Sequence, residues 1–456
     1  MDFTQSQRNI KNDAIERLSE LAVKNSTIDF DLYAKYNVKR GLRNTDGTGV
    51  LVGLTEIGNV HSYIIDEGEK VPVEGRLEYR GIDVTHLVQG FQNEKRFGFE
   101  ECSYLLLFGE LPKPNELNEF ELLLAENRQL PEGFVEDMIL KAPSRDIMNK
   151  LARSVLAMYS YDSNPDDISI KNVLRQSIEL IARFPALAAY GYQAKSHYYD
   201  KKSLYIHSPR PDLSTAENIL HMIRPDSSYT KTEAEILDLA LVLHAEHGGG
   251  NNSTFVTHAV TSTGTDTYSA IAAAIGSLKG PQHGGANLKV MGMMEDIKEH
   301  VKDWSDEKEI AAYLVKILKK EVFDRSGLIY GIGHAVYTLS DPRTILLKEK
   351  AEKLAEEKGM QEEYKLYTII ERLAPEVFYQ VKNASKIMCA NVDFYSGFVY
   401  RMLNIPTELY TPIFAVGRIS GWCAHRIEEL INGGRIIRPA YKCVVSKKNY
   451  VPLNER

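Results

Sequence analysis

The chain has 456 residues, 43% of them hydrophobic and 26% charged, with a formal net charge of −7. That is the make-up of a globular protein with material for two or three domains, and it excludes disordered and fibrous classes. The acidic balance argues against a nucleic-acid binder, and the longest apolar runs, such as Leu105 to Phe108 and Ala270 to Ile275, fall far short of the ~20 residues that span a bilayer.

The first 25 residues mix Asp and Glu with their basic residues, lack an apolar stretch, and place Ile15, Leu18 and Leu21 at helical spacing. They read as a polar amphipathic helix and not as a leader. Between Gly49 and Gly81, the β-prone runs VLVGL, VHSYII and RLEYRG are broken by glycine and by a turn at Asp66 to Gly68, which predicts a few short strands. Beyond Ile82 the apolar period becomes helical, with segments at 83–94, 99–109, 114–128, 144–160 and 166–196. Thr232-x-x-Glu235 reads as a capping box for a helix running through Ile236, Leu237, Ala240 and Leu241 to His244, where glycines end it. Further helices are expected at 253–264, 267–279, 284–299, 306–320, 341–357, 362–384, 391–403 and 412–432. The 341–357 helix opens on Ser340, Asp341 and Pro342. Four cysteines, Cys102, Cys389, Cys423 and Cys443, show no C-x-x-C spacing, so reduced thiols and a cytoplasmic location are expected.

Four glycine-framed segments concentrate groups able to do chemistry. In HAEHGGGNNS, His244 and His247 stand at a helix end three residues apart with no evident third ligand. That spacing suits a glycine-rich turn better than a metal site, for which histidines four apart on one helix face would be wanted. In GPQHGGAN, His283 stands where a helix begins, a place that disfavours imidazolium, so it is either a neutral hydrogen-bond donor to a carbonyl or simply a turn residue. GIGHAV brings His334, followed within nine residues by Asp341-Pro-Arg343, whose guanidinium suits a carboxylate. NVDFYSG sets Asp393 among apolar and aromatic neighbours, either as a base of raised pKa or as a helix N-cap. Arg418, Arg435 and Arg438 follow, as anion ligands or as a solvated face.

In this order and spacing, HAEHGGGNNS, GPQHGGAN, GIGHAVYTLSDPR, NVDFYSG and the FAVGR…RP tail resemble the citrate synthase family. With GRLEYRGIDVTHL and FEECSYLLLFGELP upstream, the resemblance runs from about residue 70 to residue 440. It implies a mainly α, two-domain fold with a few short N-terminal strands: a large domain of residues 1–284 and 396–456, and a small one, 285–395, that closes over the active site. The implied activity condenses acetyl-CoA with oxaloacetate and hydrolyses the citryl-CoA thioester, with no metal and no tightly bound cofactor. By resemblance Asp393 takes the methyl proton, His283 donates to the thioester oxygen, and His334 polarises the oxaloacetate carbonyl. His247, Arg343, Arg418 and Arg438 would hold carboxylates, Arg438 reaching in from the partner subunit of a homodimer, with Arg435 competing for that role. Gly331, Gly333 and Lys386 would contact coenzyme A. Tyr337-Thr-Leu-Ser340 lacks the basic residue that family members often carry there, which removes one expected phosphate contact. Three rivals stand beside this reading: a 2-methylcitrate synthase using propionyl-CoA, a silent paralogue that binds CoA or a carboxylate, and a metal-dependent hydrolase built on His244 and His247.

Overall fold

The computed structural model describes residues 5–45, 47–67, 69–334, 336–382 and 388–456. The chain divides after Leu54 into two compact units. The first holds α1 (Gln5–Ser26) and the short α2 (Asp31–Lys35). The second opens on three antiparallel strands, β1 (Gly58–Asp66), β2 (Glu69–Tyr79) and β3 (Ile82–Asp83), joined in sequence order with an irregular register between His61 and Tyr63. β1 and β2 fall in the β-prone stretch expected from sequence, and the two-residue β3 lies just beyond it.

Among the described residues fifteen α-helices follow: α3 (Val84–Asn93), α4 (Phe99–Phe108), α5 (Pro114–Asn127), α6 (Ile147–Met158), α7 (Ile170–Tyr198), α8 (Thr215–Ile223), α9 (Lys231–His244), α10 (Asn252–Thr261), α11 (Thr267–Lys279), α12 (Ala286–His300), α13 (Glu307–Leu318), α14 (Pro342–Lys358), α15 (Gln361–Lys382), α16 (Val392–Met402) and α17 (Tyr410–Ile431). α17 is the axis of the core. Every residue from Tyr410 to Ile427 is buried, so this helix has no solvent face, and it packs against α4, α7, α9, α10 and α11. α7 is buried on most of its 29 residues and accommodates Pro185 within its length. Among the described residues no helix is long and apolar enough to cross a membrane. The cysteines are free, with Cys102 and Cys423 buried.

Two differences from the sequence reading have their causes in tertiary contacts. The capping box of α9 is Thr230 with Glu233, two residues upstream of the expected pair: Thr230 accepts from the Glu233 N–H while the Glu233 carboxylate accepts from the Thr230 N–H. Glu233 also takes ion pairs from Arg224 and Lys358, and these tertiary contacts select the earlier register. α8 was not expected. It has its own capping box, Ser214 with Glu217, and the buried Glu100 carboxylate accepts from the Thr215 N–H at 2.7 Å.

Candidate active site

The loop that ends α9 carries His244 to Gly250, and the β-sheet fixes its position. Tyr79 on β2 donates through its hydroxyl to the carbonyls of Val242 (2.9 Å) and Glu246 (3.2 Å). The same sheet holds the 336–340 loop, through Ser62 Oγ to the Val336 carbonyl (2.8 Å) and the Gly75 N–H to Ser340 Oγ (3.1 Å). β1 and β2 thus set His247 and His334 against one another, their rings 5.2 Å apart at 72°, with Tyr337 closing the group 5.5 Å from His247 and 4.9 Å from His334.

A second clamp joins His334 to Asp393. Gly333 N–H donates to the Cys389 carbonyl (2.7 Å), Asn391 N–H to the Gly331 carbonyl (2.9 Å), and Asn391 Nδ2 to the Gly333 carbonyl (2.8 Å). Both glycines have positive φ, +80° at Gly331 and +97° at Gly333, and a Cβ at Gly331 would lie 2.7 Å from the Phe394 ring. Only glycine serves there, because a side chain would meet both strain and a wall.

The ring nitrogens have assigned roles. His334 Nδ1 accepts from the N–H groups of Val336 (3.0 Å) and Tyr337 (3.1 Å), so the proton of the neutral ring sits on Nε2. At His283 the Ser253 N–H donates to Nε2 at 3.4 Å and the Ser253 hydroxyl lies 3.1 Å away, which leaves the proton on Nδ1. Ser253 Oγ is itself fixed by a bond from Trp422 Nε1 on α17 (3.0 Å). Burial, then the charge of Arg418, lowers the His283 pKa to about 4. The expected neutral histidine is present, but its cause is desolvation rather than the helix N-terminus, since α12 begins only at Ala286. His247 is likewise held well below the usual range by burial and by Arg343, His334, Arg418 and His283, and its buried Nε2 has no partner.

Asp393 is not the cap of α16. Asn391 is, accepting from the Asp393 N–H. Asp393 therefore keeps its carboxylate for the site, where Oδ1 is enclosed without a partner. Burial raises its pKa to about 6 against the opposing pull of Arg343 and Arg418. Arg418 is fully buried. Its Nε donates to the His244 carbonyl (2.5 Å) and its guanidinium lies 4.8 Å from the Phe414 ring centre, yet Nη1 and Nη2 have no acceptor. Burial lowers its pKa to about 10, so it stays charged at neutral pH. Arg343 pairs in bidentate fashion with buried Asp341 through Nε (3.0 Å) and Nη2 (2.8 Å), which leaves Nη1 outside that pair.

His244, the other histidine of the first motif, turns away: its Nε2 bonds the Tyr400 hydroxyl (2.9 Å) and its ring stacks on Phe414. Arg435 and Arg438 are exposed on the tail after α17. Lys386 lies outside the described residues. Tyr337, Tyr79 and Ser253 belong to the site although the sequence reading gave them no role in it. Ser253 closes the HAEHGGGNNS motif, the one signal that would have pointed to it. Tyr337 occupies the position where a basic residue was looked for, and it is buried, packed by the imidazoles and 5.9 Å from Arg343.

Two buried guanidinium groups, one with two vacant donors, beside a desolvated carboxylate and histidines of fixed tautomer define an enzyme that works on a multiply anionic substrate by proton transfer. A family model described as "Citrate synthase, C-terminal domain" matches residues 44–440. The chain is 35% identical over 426 residues to a citrate synthase of Haloferax volcanii, covering 92% of this chain and 99% of that one. It is also 33% identical over 384 residues to a 2-methylcitrate synthase of Shewanella oneidensis, covering 83% and 92%. A solved citrate synthase of Thermoplasma acidophilum, in ternary complex with carboxymethyl coenzyme A and oxaloacetate, superposes with a TM-score of 0.74 at 26% identity, over 92% of this chain and 99% of that one. The chain belongs to the citrate synthase family of transferases.

Proposed function

We propose that this enzyme condenses acetyl-CoA with oxaloacetate and hydrolyses the citryl-CoA thioester to citrate and CoA. The observation that carries the reading is Arg418: a fully buried guanidinium with two N–H ends lacking acceptors is costly unless an anion fills the space before them. Oxaloacetate brings two carboxylates. Arg418, Nη1 of Arg343 and His247 receive them, and Arg438 of a partner subunit completes the set in a homodimer. His334 points Nε2–H at the ketone oxygen, which polarises the carbon to be attacked.

Asp393 Oδ1 takes a proton from the acetyl methyl group as His283 Nδ1–H bonds the thioester oxygen where charge gathers. The enol carbon then attacks the ketone carbon, and the new alkoxide is protonated from His334. Water cleaves the thioester, releasing CoA thiol. The apolar surroundings that raise Asp393 serve this step, because a carboxylate of pKa about 6 is a stronger base than a solvated one and is still ionised at neutral pH. None of these steps calls on a metal or a tightly bound cofactor.

Segment 285–395 acts as the smaller domain that closes over oxaloacetate, with His283 beside its first hinge. Gly331 and Gly333 present their loop to coenzyme A, with Lys386 supplying positive charge. The enzyme works in the cytoplasm. The test is release of CoA thiol with oxaloacetate and either acetyl-CoA or propionyl-CoA. Preference for acetyl-CoA supports the proposal, preference for propionyl-CoA assigns 2-methylcitrate synthesis, and silence with both refutes it. One methylene is worth only ~1–3 kcal/mol in an apolar pocket, so the two substrates must be compared side by side.

A further inference from the structure

Beside the loop that carries His247, two histidines and three glutamates, Glu246 of that loop among them, converge in an arrangement the condensation does not use. His258 on α10 bonds Glu429 through Nδ1 (2.8 Å), and its Nε2 faces His425 Nδ1 at 3.1 Å. His425 on α17 holds Nε2 3.1 Å from Glu246 Oε1, close enough for an ion pair but outside hydrogen-bond geometry, so this buried nitrogen has no hydrogen-bond partner. Glu428 Oε1 accepts from the Glu56 N–H (2.7 Å), which leaves the enclosed Oε2 without a partner, 3.9 Å from His425 Nδ1. Among the described residues, His258, His425 and Glu428 are the one group whose ligand atoms lie close enough together for a single ion.

A count of protons shows what is missing. The row Glu429, His258, His425, Glu246 has three close contacts between lone-pair atoms, two in hydrogen-bond geometry and the third at ion-pair distance only, and two neutral imidazoles bring two protons to them. A carboxylate at each end draws those protons outward, to His258 Nδ1 and His425 Nε2. The inner nitrogens then face each other as two lone pairs at 3.1 Å, repulsive unless something positive binds both. That separation is close to the edge of a tetrahedron of nitrogens at zinc, about 3.3 Å for bonds of 2.0–2.1 Å. Histidine ligands backed by carboxylates on their outer nitrogens are the usual support of such ions. Gly249 borders the cluster: a Cβ there would stand in ordinary contact, 3.6 Å from Thr55 Cγ2 and 3.7 Å from both His258 Nε2 and His425 Cε1.

We propose that His258, His425 and Glu428 bind one divalent cation of the zinc class, with Glu429 and Glu246 orienting the two imidazoles. Such an ion ties α10 to α17 beside the loop of His247, as a structural clamp separate from the reacting groups. The inference does not depend on which acyl-CoA the enzyme uses.

The test is titration of the chelator-stripped full chain with Zn²⁺ alone, in competition with a chromophoric chelator and followed in parallel by thermal melting. One equivalent per chain and a melting temperature that rises with Zn²⁺ are expected. His258→Gln should abolish both, and Glu429→Gln should weaken binding by about 10–100-fold. If His258→Gln does not fold, Glu428→Gln serves the same comparison. Absence of stoichiometric binding by the unaltered protein overturns the proposal and leaves a third proton as the cation of the row. Binding unchanged by the loss of a ligand overturns it equally, as ion held elsewhere.

Discussion

Asp393→Asn should stabilise the protein while abolishing its activity. The carboxyl has a folded pKa of about 6 against an ordinary 3.8, so the folded state holds the proton more tightly than the unfolded chain does. The stability tied to this group is fully present below pH 3.8 and is lost as pH rises through about 6, after which the ionised form carries the whole desolvation cost. About two pH units at 1.36 kcal/mol each make that cost about 3 kcal/mol at pH 8, and about half of it at pH 5, as upper bounds because one side of the residue opens to the site. Asn mimics the protonated acid and escapes the cost. The assay is denaturant unfolding of both proteins at pH 5 and pH 8, together with kcat/KM against pH for the unaltered enzyme. The variant's advantage should widen with pH, and kcat/KM should climb through about pH 6 as the base ionises. A variant less stable at both pH values by the same amount, or a rate flat across that range, would refute the argument that burial tunes this carboxylate.

Arg418→Met should raise KM for oxaloacetate about 30-fold or more, from the ~2–5 kcal/mol lost with a desolvated charge pair, yet raise the melting temperature of the free protein. Unchanged KM in steady-state assays would remove Arg418 from the anion site. Ser253→Ala should lower kcat about tenfold, the value of one orienting hydrogen bond to His283, with little change in KM for oxaloacetate. An equal effect on both constants would point to general disruption instead. Gly331→Ala should destabilise by ~2–4 kcal/mol in denaturant titrations, since strain at φ +80° adds to the 2.7 Å approach of Phe394, whereas Gly359→Ala, at φ +68° in open space, should cost only about 1 kcal/mol. If Arg438 serves its neighbour's site, mixing inactive Arg438→Ala and Asp393→Asn homodimers under subunit exchange should restore roughly a quarter of normal activity, because half the dimers are mixed and each has one intact site. No recovery would place Arg438 in its own subunit's site or in none.

Helix boundaries were legible because apolar period and breakers are local. The expected 267–279 helix is α11 to the residue, and 391–403 differs from α16 by one residue at each end. The glycine-framed motifs were legible too, since only certain residue types serve at a turn of positive φ such as Gly331 or beside a buried carboxylate such as Asp393. Where two local signals competed, distant contacts chose: Glu233 caps α9 because Arg224 and Lys358 hold it, and α8 forms where Glu100, over a hundred residues away in sequence, meets its first turn. That His283, His334 and Asp393 stand in glycine-framed segments could be read in one dimension, but their protonation could not. The tautomers of His283 and His334 depend on backbone N–H groups of Ser253, Val336 and Tyr337 placed by folding, and the raised Asp393 depends on water being excluded around it. The facing of His258 on His425, 167 residues apart, is wholly a product of α10 packing on α17. Sequence determines which groups are available and the local shape of their loops, whereas desolvation, field and proton position arise from neighbours brought together only in the folded chain.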